Sequence, residues 1–121
     1  MGPRELGEHA EVAVADYLFA AGFDVLWRNL RVGSLELDVV ARRGPLVVAV
    51  EVRTRKTGGL VGPFQSVGRT KRARVLAATR RLWDRHLRRM RDVERLRIDV
   101  AAVSFDRGET RVTYAEGALS G

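Results

Sequence analysis

Residues 35–55 read LELDVVARRGPLVVAVEVRTR, and this stretch decides the fold. Apolar and polar residues alternate over residues 35–41, which is the pattern of a half-buried β-strand. Residues 42–45 carry the glycine and proline of a turn, and residues 46–52 are β-branched and almost continuously apolar, as in a strand buried on both faces. The stretch therefore predicts a β-hairpin whose second strand lies at the centre of a sheet.

Alternation along the first strand also predicts which side chains share a face. One face carries Leu35, Leu37, Val39 and Ala41, and the other carries Glu36, Asp38 and Val40. If the hairpin turns about Gly44 and Pro45, residues that face each other have numbers summing to about 89, so Asp38 is expected to face Glu51. Arg53 follows two residues later on the same face as Glu51.

The rest of the chain predicts two helices and three more strands. Apolar residues recur at steps of three and four over residues 5–21 and 70–90, which indicates two amphipathic helices. Strands are predicted at residues 23–28, 96–105 and 110–114, a polar turn at residues 29–33, and a mobile glycine-rich loop at residues 56–68.

The predicted order is α, β, β, β, α, β, β, which favours one α/β domain over residues 1–121 with residues 116–121 as a flexible tail. A chain of 121 residues with 45% hydrophobic content is sufficient for one ordinary core. No apolar run approaches the roughly 20 residues of a membrane span, and residues 1–8 lack the layout of a signal peptide. We therefore expect no membrane association and a cytoplasmic location.

Composition limits the chemistry of any site. Cysteine is absent and histidine occurs twice, so a metal ion would have to be bound by carboxylates. Lysine and arginine total 22 against 15 acidic residues, a net charge of +7, which indicates polyanionic partners. Arginine supplies 20 of those 22 cations, either because bidentate phosphate contacts are needed or because the whole proteome prefers arginine.

The facing pair of Asp38 and Glu51 is the main candidate site. Two ionised carboxylates about 5 Å apart on neighbouring strands repel each other by roughly 3 kcal/mol at an effective dielectric constant near 20. A divalent cation such as Mg²⁺ would offset this repulsion and accept oxygen ligands from both side chains. An ion pair with Arg53 is the alternative.

A larger set of residues, spread over most of the chain, matches one known family. The set is Gly7, Glu8, Ala10, Tyr17, Leu18, Gly22, Phe23, Arg28, Asn29, Arg31, Glu36, Asp38, Val50, Glu51, Val52, Arg53, Arg55, Lys71, Arg97 and Asp99. On these residues the chain resembles the YraN family of bacterial proteins, which is related to archaeal Holliday junction resolvases. The resemblance implies the restriction-endonuclease-like PD-(D/E)XK fold, an αβββαβ core with a mixed central sheet flanked by helices.

The resemblance also implies roles for individual residues. Asp38 and Glu51 would bind Mg²⁺ or Mn²⁺, and Glu8 of the first helix would join them. Arg53 stands where the superfamily usually has a lysine that positions the attacking water and stabilises the phosphorane, and Leu35 replaces the family's usual glycine. An arginine can stabilise the phosphorane but keeps its proton, so it cannot act as a base.

The resulting functional hypothesis is a Mg²⁺-dependent endonuclease that acts on DNA, on branched or damaged structures. The residues expected to contact nucleic acid are Arg31, Arg55, Lys56, Lys71, Arg72 and Arg74. Because junction enzymes of this fold often dimerise to place two active sites, a homodimer is a further expectation. Two alternatives stay open: a nucleic-acid-binding module that has lost catalysis, and a protein-interaction domain in which Arg53 forms a salt bridge with the acidic pair.

Overall fold

The computed structural model of the chain describes residues 2–56 and 69–118. The elements in these ranges are α1 (Pro3–Ala20), β1 (Asp24–Val32), β2 (Leu35–Arg43), β3 (Leu46–Lys56), α2 (Arg69–Leu82), a π-helical turn (Trp83–Leu87), β4 (Arg95–Asp106) and β5 (Glu109–Ala115). The order of helices and strands predicted from the sequence is confirmed. The loop predicted at residues 56–68 lies outside the described residues, except for Lys56 at the end of β3.

The described strands form one mixed sheet in the order β1-β2-β3-β4-β5. β3 and β4 are parallel, and the other neighbours are antiparallel. A parallel pair needs a crossover connection, and α2 supplies it. The central place of β3 and the mixed α/β class are confirmed, and the arrangement is compatible with a restriction-endonuclease-like core.

The sheet is buried on both faces. Val48 and Val50 of β3 pack with Val14 and Leu18 of α1 in one apolar cluster. Val47 packs with Leu82 and other residues of the α2 side in a second cluster. Burying a valine or leucine contributes about 1.5–3 kcal/mol relative to leaving it exposed, so the continuous apolar run of β3 is explained by its two covered faces.

Two predicted boundaries were wrong. The second helix was predicted to reach Met90, but α2 ends at Leu82 and continues as the π-helical turn, in which the amide of Arg88 donates to the carbonyl of Trp83. Leu82 and Leu87 are both fully buried, and five residues in an α-helix would place them about 140° apart. The wider π turn brings both onto the core side.

The polar turn predicted at residues 29–33 is also wrong. β1 continues to Val32, which pairs with Leu35, and the turn is confined to Gly33 and Ser34. Leu30 and Val32 alternate with polar neighbours and contribute to the α2-side cluster, which makes this segment a strand. Gly33 supplies the positive φ of 62° that the turn requires.

The end of the chain is described as far as residue 118. The amide of Gly117 donates a hydrogen bond of 2.8 Å to the carboxylate of Asp99, a fully buried residue of β4. No helix in the described ranges has the length and apolarity needed to cross a lipid bilayer.

Candidate active site

The register of the β2–β3 hairpin agrees with the sequence-based expectation. The ladder runs from the pair Arg43–Leu46 to the pair Val39–Val50, whose numbers sum to 89. Beyond that pair, Oδ2 of Asp38 accepts a hydrogen bond of 2.8 Å from the backbone amide of Val52. The Asp38 side chain thus continues the contact between the two strands with its own carboxylate.

β2 bends at Asp38. Leu37 packs in the cluster on the α2 side, together with Val40, whereas Val39 packs in the cluster on the α1 side. Side chains two apart in a regular strand point to the same face, so the predicted common face of Leu37 and Val39 was wrong.

A residue with an unusual backbone conformation lies opposite this bend on the neighbouring strand. Asn29 lies between the two residues of β1 that pair with Val39 and Leu37, and its φ is 54°. A left-handed residue in a strand reverses the alternation of side chains, and a residue other than glycine rarely adopts it. The left-handed Asn29 thus lies opposite Asp38, the residue whose carboxylate accepts the hydrogen bond from Val52.

The environment of Asp38 favours its neutral form. Burial of this half-buried carboxyl raises its pKa from 3.8 to about 6. The hydrogen bond from Val52 and the positive charge of Lys71 lower the pKa, while the negative charges of Glu11 and Glu51 raise it. A cation placed beside Asp38 would therefore stabilise the ionised form.

Glu51 is more deeply buried, with 10% of its side chain exposed. Its charge is balanced by Arg53, 3.7 Å away, and by Lys71 of α2, whose ammonium contacts Oε1. Apart from these two ion pairs, neither Glu51 oxygen has a hydrogen-bond partner among the described residues. A carboxylate in this state can accept ligand bonds from a hard cation.

Asp38, Glu51 and Lys71 meet in one small cleft of about 100 Å³. Its wall is completed by Glu36 and by the apolar residues Leu35, Leu37, Ala49, Val50, Val75 and Ile98. Because a water molecule takes about 30 Å³ in the liquid, the cleft has room for a cation with part of its hydration shell. The acidic pair therefore offers oxygen ligands and space of the kind that a hard divalent cation requires.

Glu8 is the residue of α1 that the family resemblance implies as a further metal ligand. Glu8 is exposed and pairs with Arg4 one turn earlier on α1, at 3.9 Å. The described residues contain no group of three or more His, Asp or Glu side chains that could hold a metal ion. Any metal site here would thus depend on two carboxylates.

Glu11 is the carboxylate of α1 whose charge acts on Asp38. Only 13% of its side chain is exposed, Arg28 lies 3.5 Å away, and the side-chain amide of Asn29, through Nδ2, donates a hydrogen bond of 3.2 Å to Oε1. Glu11 precedes the buried Val14 by three residues, a spacing that places both on one helix face. That spacing is the sequence signal that could have revealed this residue.

The residues predicted to contact nucleic acid occupy different places. Arg31 of β1 and Arg72 and Arg74 of α2 are exposed, and Lys71 lines the cleft. Arg55 and Lys56 end β3, and their side chains lie outside the described residues.

Comparison with known proteins gives a consistent family match. Residues 10–103 match the model described as "Uncharacterised protein family UPF0102". A UPF0102 protein of Sorangium cellulosum is 47% identical over 117 residues, which is 96% of this chain and 81% of the relative. UPF0102 proteins of Anaeromyxobacter dehalogenans and Beutenbergia cavernae are 39% and 38% identical, over 99% and 93% of this chain and 87% and 93% of their own lengths.

Proposed function

The chain belongs to the UPF0102 family, which is the YraN family that its sequence resembles, and we propose that it is a metal-dependent endonuclease that hydrolyses phosphodiester bonds in DNA. The observation that carries the proposal is the meeting of Asp38 and Glu51, from neighbouring strands, with Lys71 in one cleft. A basic chain of net charge +7 surrounds this acidic site, which suits a polyanionic substrate.

In this proposal Asp38 and Glu51 hold one Mg²⁺ or Mn²⁺ ion. When bound, such an ion supplies an activated water nucleophile and charge stabilisation at the phosphoryl oxygens. Burial of both carboxylates strengthens their attraction for the cation, because charges interact more strongly where water is excluded. The Val52 amide fixes the orientation of Asp38, and the ion pair with Arg53 helps to orient Glu51.

The exposed arginines of α2 would hold the nucleic acid. Arg72 and Arg74 lie one and three residues after Lys71, within the first two turns of the helix that borders the cleft. The first turn of α2 contains no acidic residue. The helix dipole and the arginines together favour the phosphate backbone close to the acidic pair.

Cleavage of a panel of flap, junction, single-stranded and duplex DNA with Mg²⁺ or Mn²⁺ tests the proposal. We expect Asp38→Asn and Glu51→Gln each to reduce cleavage by about 100-fold or more, the scale on which loss of one preorganised charged group acts. Asp16→Asn, an exposed carboxylate of α1, is the matched control and should retain activity. Equal cleavage by the wild type and Asp38→Asn on every substrate would contradict the proposal.

A nucleic-acid-binding module without catalysis is the second candidate. It is favoured by Arg53 at the position of the usual lysine and by the ion pairs that already balance Glu51. This candidate predicts DNA binding that weakens with salt and does not depend on a divalent cation. The cytoplasmic location and the homodimer stay predictions, and sedimentation of the free chain at micromolar concentration would test the latter.

A further inference from the structure

The cleft contains one of the two lysines of the chain. Of the 22 positions that carry lysine or arginine, 20 carry arginine, and the exceptions are Lys56 and Lys71. The residues around Lys71 follow the general preference, since Arg69, Arg72 and Arg74 are arginines. A lysine kept at this one place on α2 suggests that its compact ammonium matters there.

Lys71 and Arg53 contact Glu51 in different ways. The Arg53 side chain is 17% exposed and lies 3.7 Å from Oε2 of Glu51. The Lys71 side chain is 52% exposed and contacts the other oxygen, Oε1. Lys71 belongs to the wall of the cleft, and Arg53 does not. The ammonium of Lys71 therefore lies at both the acidic pair and the space that a substrate would enter, while Arg53 pairs with Glu51 without lining that space.

Resting on the function proposed above, we propose that Lys71 is the catalytic lysine of this site and that Arg53 is a positioning residue for Glu51. The superfamily usually has a lysine at the position that Arg53 occupies on β3. In this chain the crossover helix α2 supplies that lysine as Lys71. Lys71, near the start of α2, contacts the same carboxylate that a lysine two positions after Glu51 would accompany.

The chemical step can be written for Lys71 without any proton transfer at its ammonium. The oxygen of a water molecule forms a bond to phosphorus, and the bond from phosphorus to one sugar oxygen breaks. The water gives its proton to solvent, and the departing sugar oxygen takes up a proton from solvent. Throughout, Lys71 donates a hydrogen bond to a non-bridging phosphate oxygen, whose negative charge grows in the transition state.

A purely structural role makes a different prediction. If Lys71 only balances the charge of Glu51, a bound divalent cation would take over that task. Removing Lys71 would then leave cleavage unchanged once the cation is saturating. The catalytic role predicts a loss that no concentration of the cation restores, together with a cation affinity that is unchanged or higher, since a competing positive charge is gone.

The test compares the wild type, Lys71→Ala and Lys71→Met under single-turnover conditions, on whichever DNA of the panel the wild type cleaves. Mn²⁺ affinity is measured separately by electron paramagnetic resonance of the free ion. We expect both variants to cleave about 100-fold or more slowly at saturating Mn²⁺, and to bind Mn²⁺ as tightly as the wild type or up to about tenfold more tightly. Arg111→Ala, on the exposed side of β5, is the control and should match the wild type.

The outcomes separate the two proposals. Cleavage by Lys71→Ala within threefold of an active wild type, at saturating Mn²⁺, overturns the catalytic role of Lys71 and leaves the nuclease function standing. A large loss of Mn²⁺ affinity in both variants also overturns it, because Lys71 would then shape the acidic pair. A wild type that binds Mn²⁺ but cleaves no DNA of the panel overturns the proposed function itself. Circular dichroism of each variant verifies that it is folded.

Discussion

The backbone amide of Val52 donates its hydrogen bond to the side chain of Asp38, at 2.8 Å. This bond joins the central strand to the bend in its neighbour, directly beside Glu51. It orients one carboxylate of the acidic pair while the pair remains partly buried. The hydrogen bond lowers the pKa of Asp38, but burial raises the pKa by more, so the ionised form of this carboxyl is disfavoured in the folded chain.

The first prediction concerns pH and stability. The pKa of Asp38 rises from 3.8 to about 6 on folding, so the folded chain binds this proton more tightly than the unfolded chain does. The stabilisation of the folded chain by this proton on Asp38 is complete below pH 3.8 and is lost as the pH rises through about 6. Asp38→Asn removes this dependence, so its stability relative to the wild type should increase by about 3 kcal/mol between pH 3.5 and 7.5.

Urea unfolding at both pH values, in buffer with a chelator, measures this difference. Asp24→Asn at the exposed start of β1 is the control, and its difference from the wild type should stay constant. If the stability difference between Asp38→Asn and the wild type is also the same at both pH values, burial does not disfavour the charge of Asp38.

The second prediction concerns the bend opposite Asp38. Asn29 has a φ of 54°, which glycine adopts freely and alanine does not. Asn29→Gly and Asn29→Ala both lose the hydrogen bond to Glu11, so the comparison between them isolates the effect of the backbone conformation on stability. We expect the alanine variant to be about 1 kcal/mol less stable than the glycine variant in urea unfolding. Equal stability of the two variants would mean that the left-handed conformation does not matter for this strand.

The third prediction concerns the divalent cation. A ligand that binds only the folded chain at 100 times its dissociation constant stabilises it by about 2.7 kcal/mol. We therefore expect Mn²⁺ to raise the thermal unfolding midpoint of the wild type and to have no effect on Glu51→Gln. Glu8→Gln, which changes an exposed carboxylate paired with Arg4, should respond like the wild type. A response of Glu51→Gln equal to that of the wild type would place the cation elsewhere.

The fourth prediction concerns the contact with DNA. Each phosphate neutralised by a cationic side chain contributes about 0.9 to the slope of log affinity against log salt concentration. Replacing both Arg72 and Arg74 with alanine should reduce the slope by about 2, uniformly over different DNA sequences. Fluorescence anisotropy between 50 and 200 mM salt, about the range in which such slopes are resolved, measures it. An unchanged slope would remove the first turns of α2 from the binding surface.

Local pattern accounts for the parts of the fold that the sequence predicted. The order of elements follows from periodicity, and the register of the hairpin follows from the turn at Gly44 and Pro45, since a tight turn aligns every later pair. The central place of β3 follows from its continuous apolar run, which only a strand covered on both faces can bury. These features depend on residues close together in the chain, and the acidic pair was predicted for the same reason.

Tertiary packing decided the rest. The sequence by itself predicted the hairpin register, in which paired residues have numbers summing to 89 and which leads to the cleft shared by Asp38 and Glu51. Only the folded chain places the ammonium of Lys71 against Glu51 and the charge of Glu11 near Asp38, because each contact joins a helix to a strand distant in sequence. The left-handed conformation of Asn29, opposite Asp38 on the neighbouring strand, is likewise a feature that periodicity does not encode.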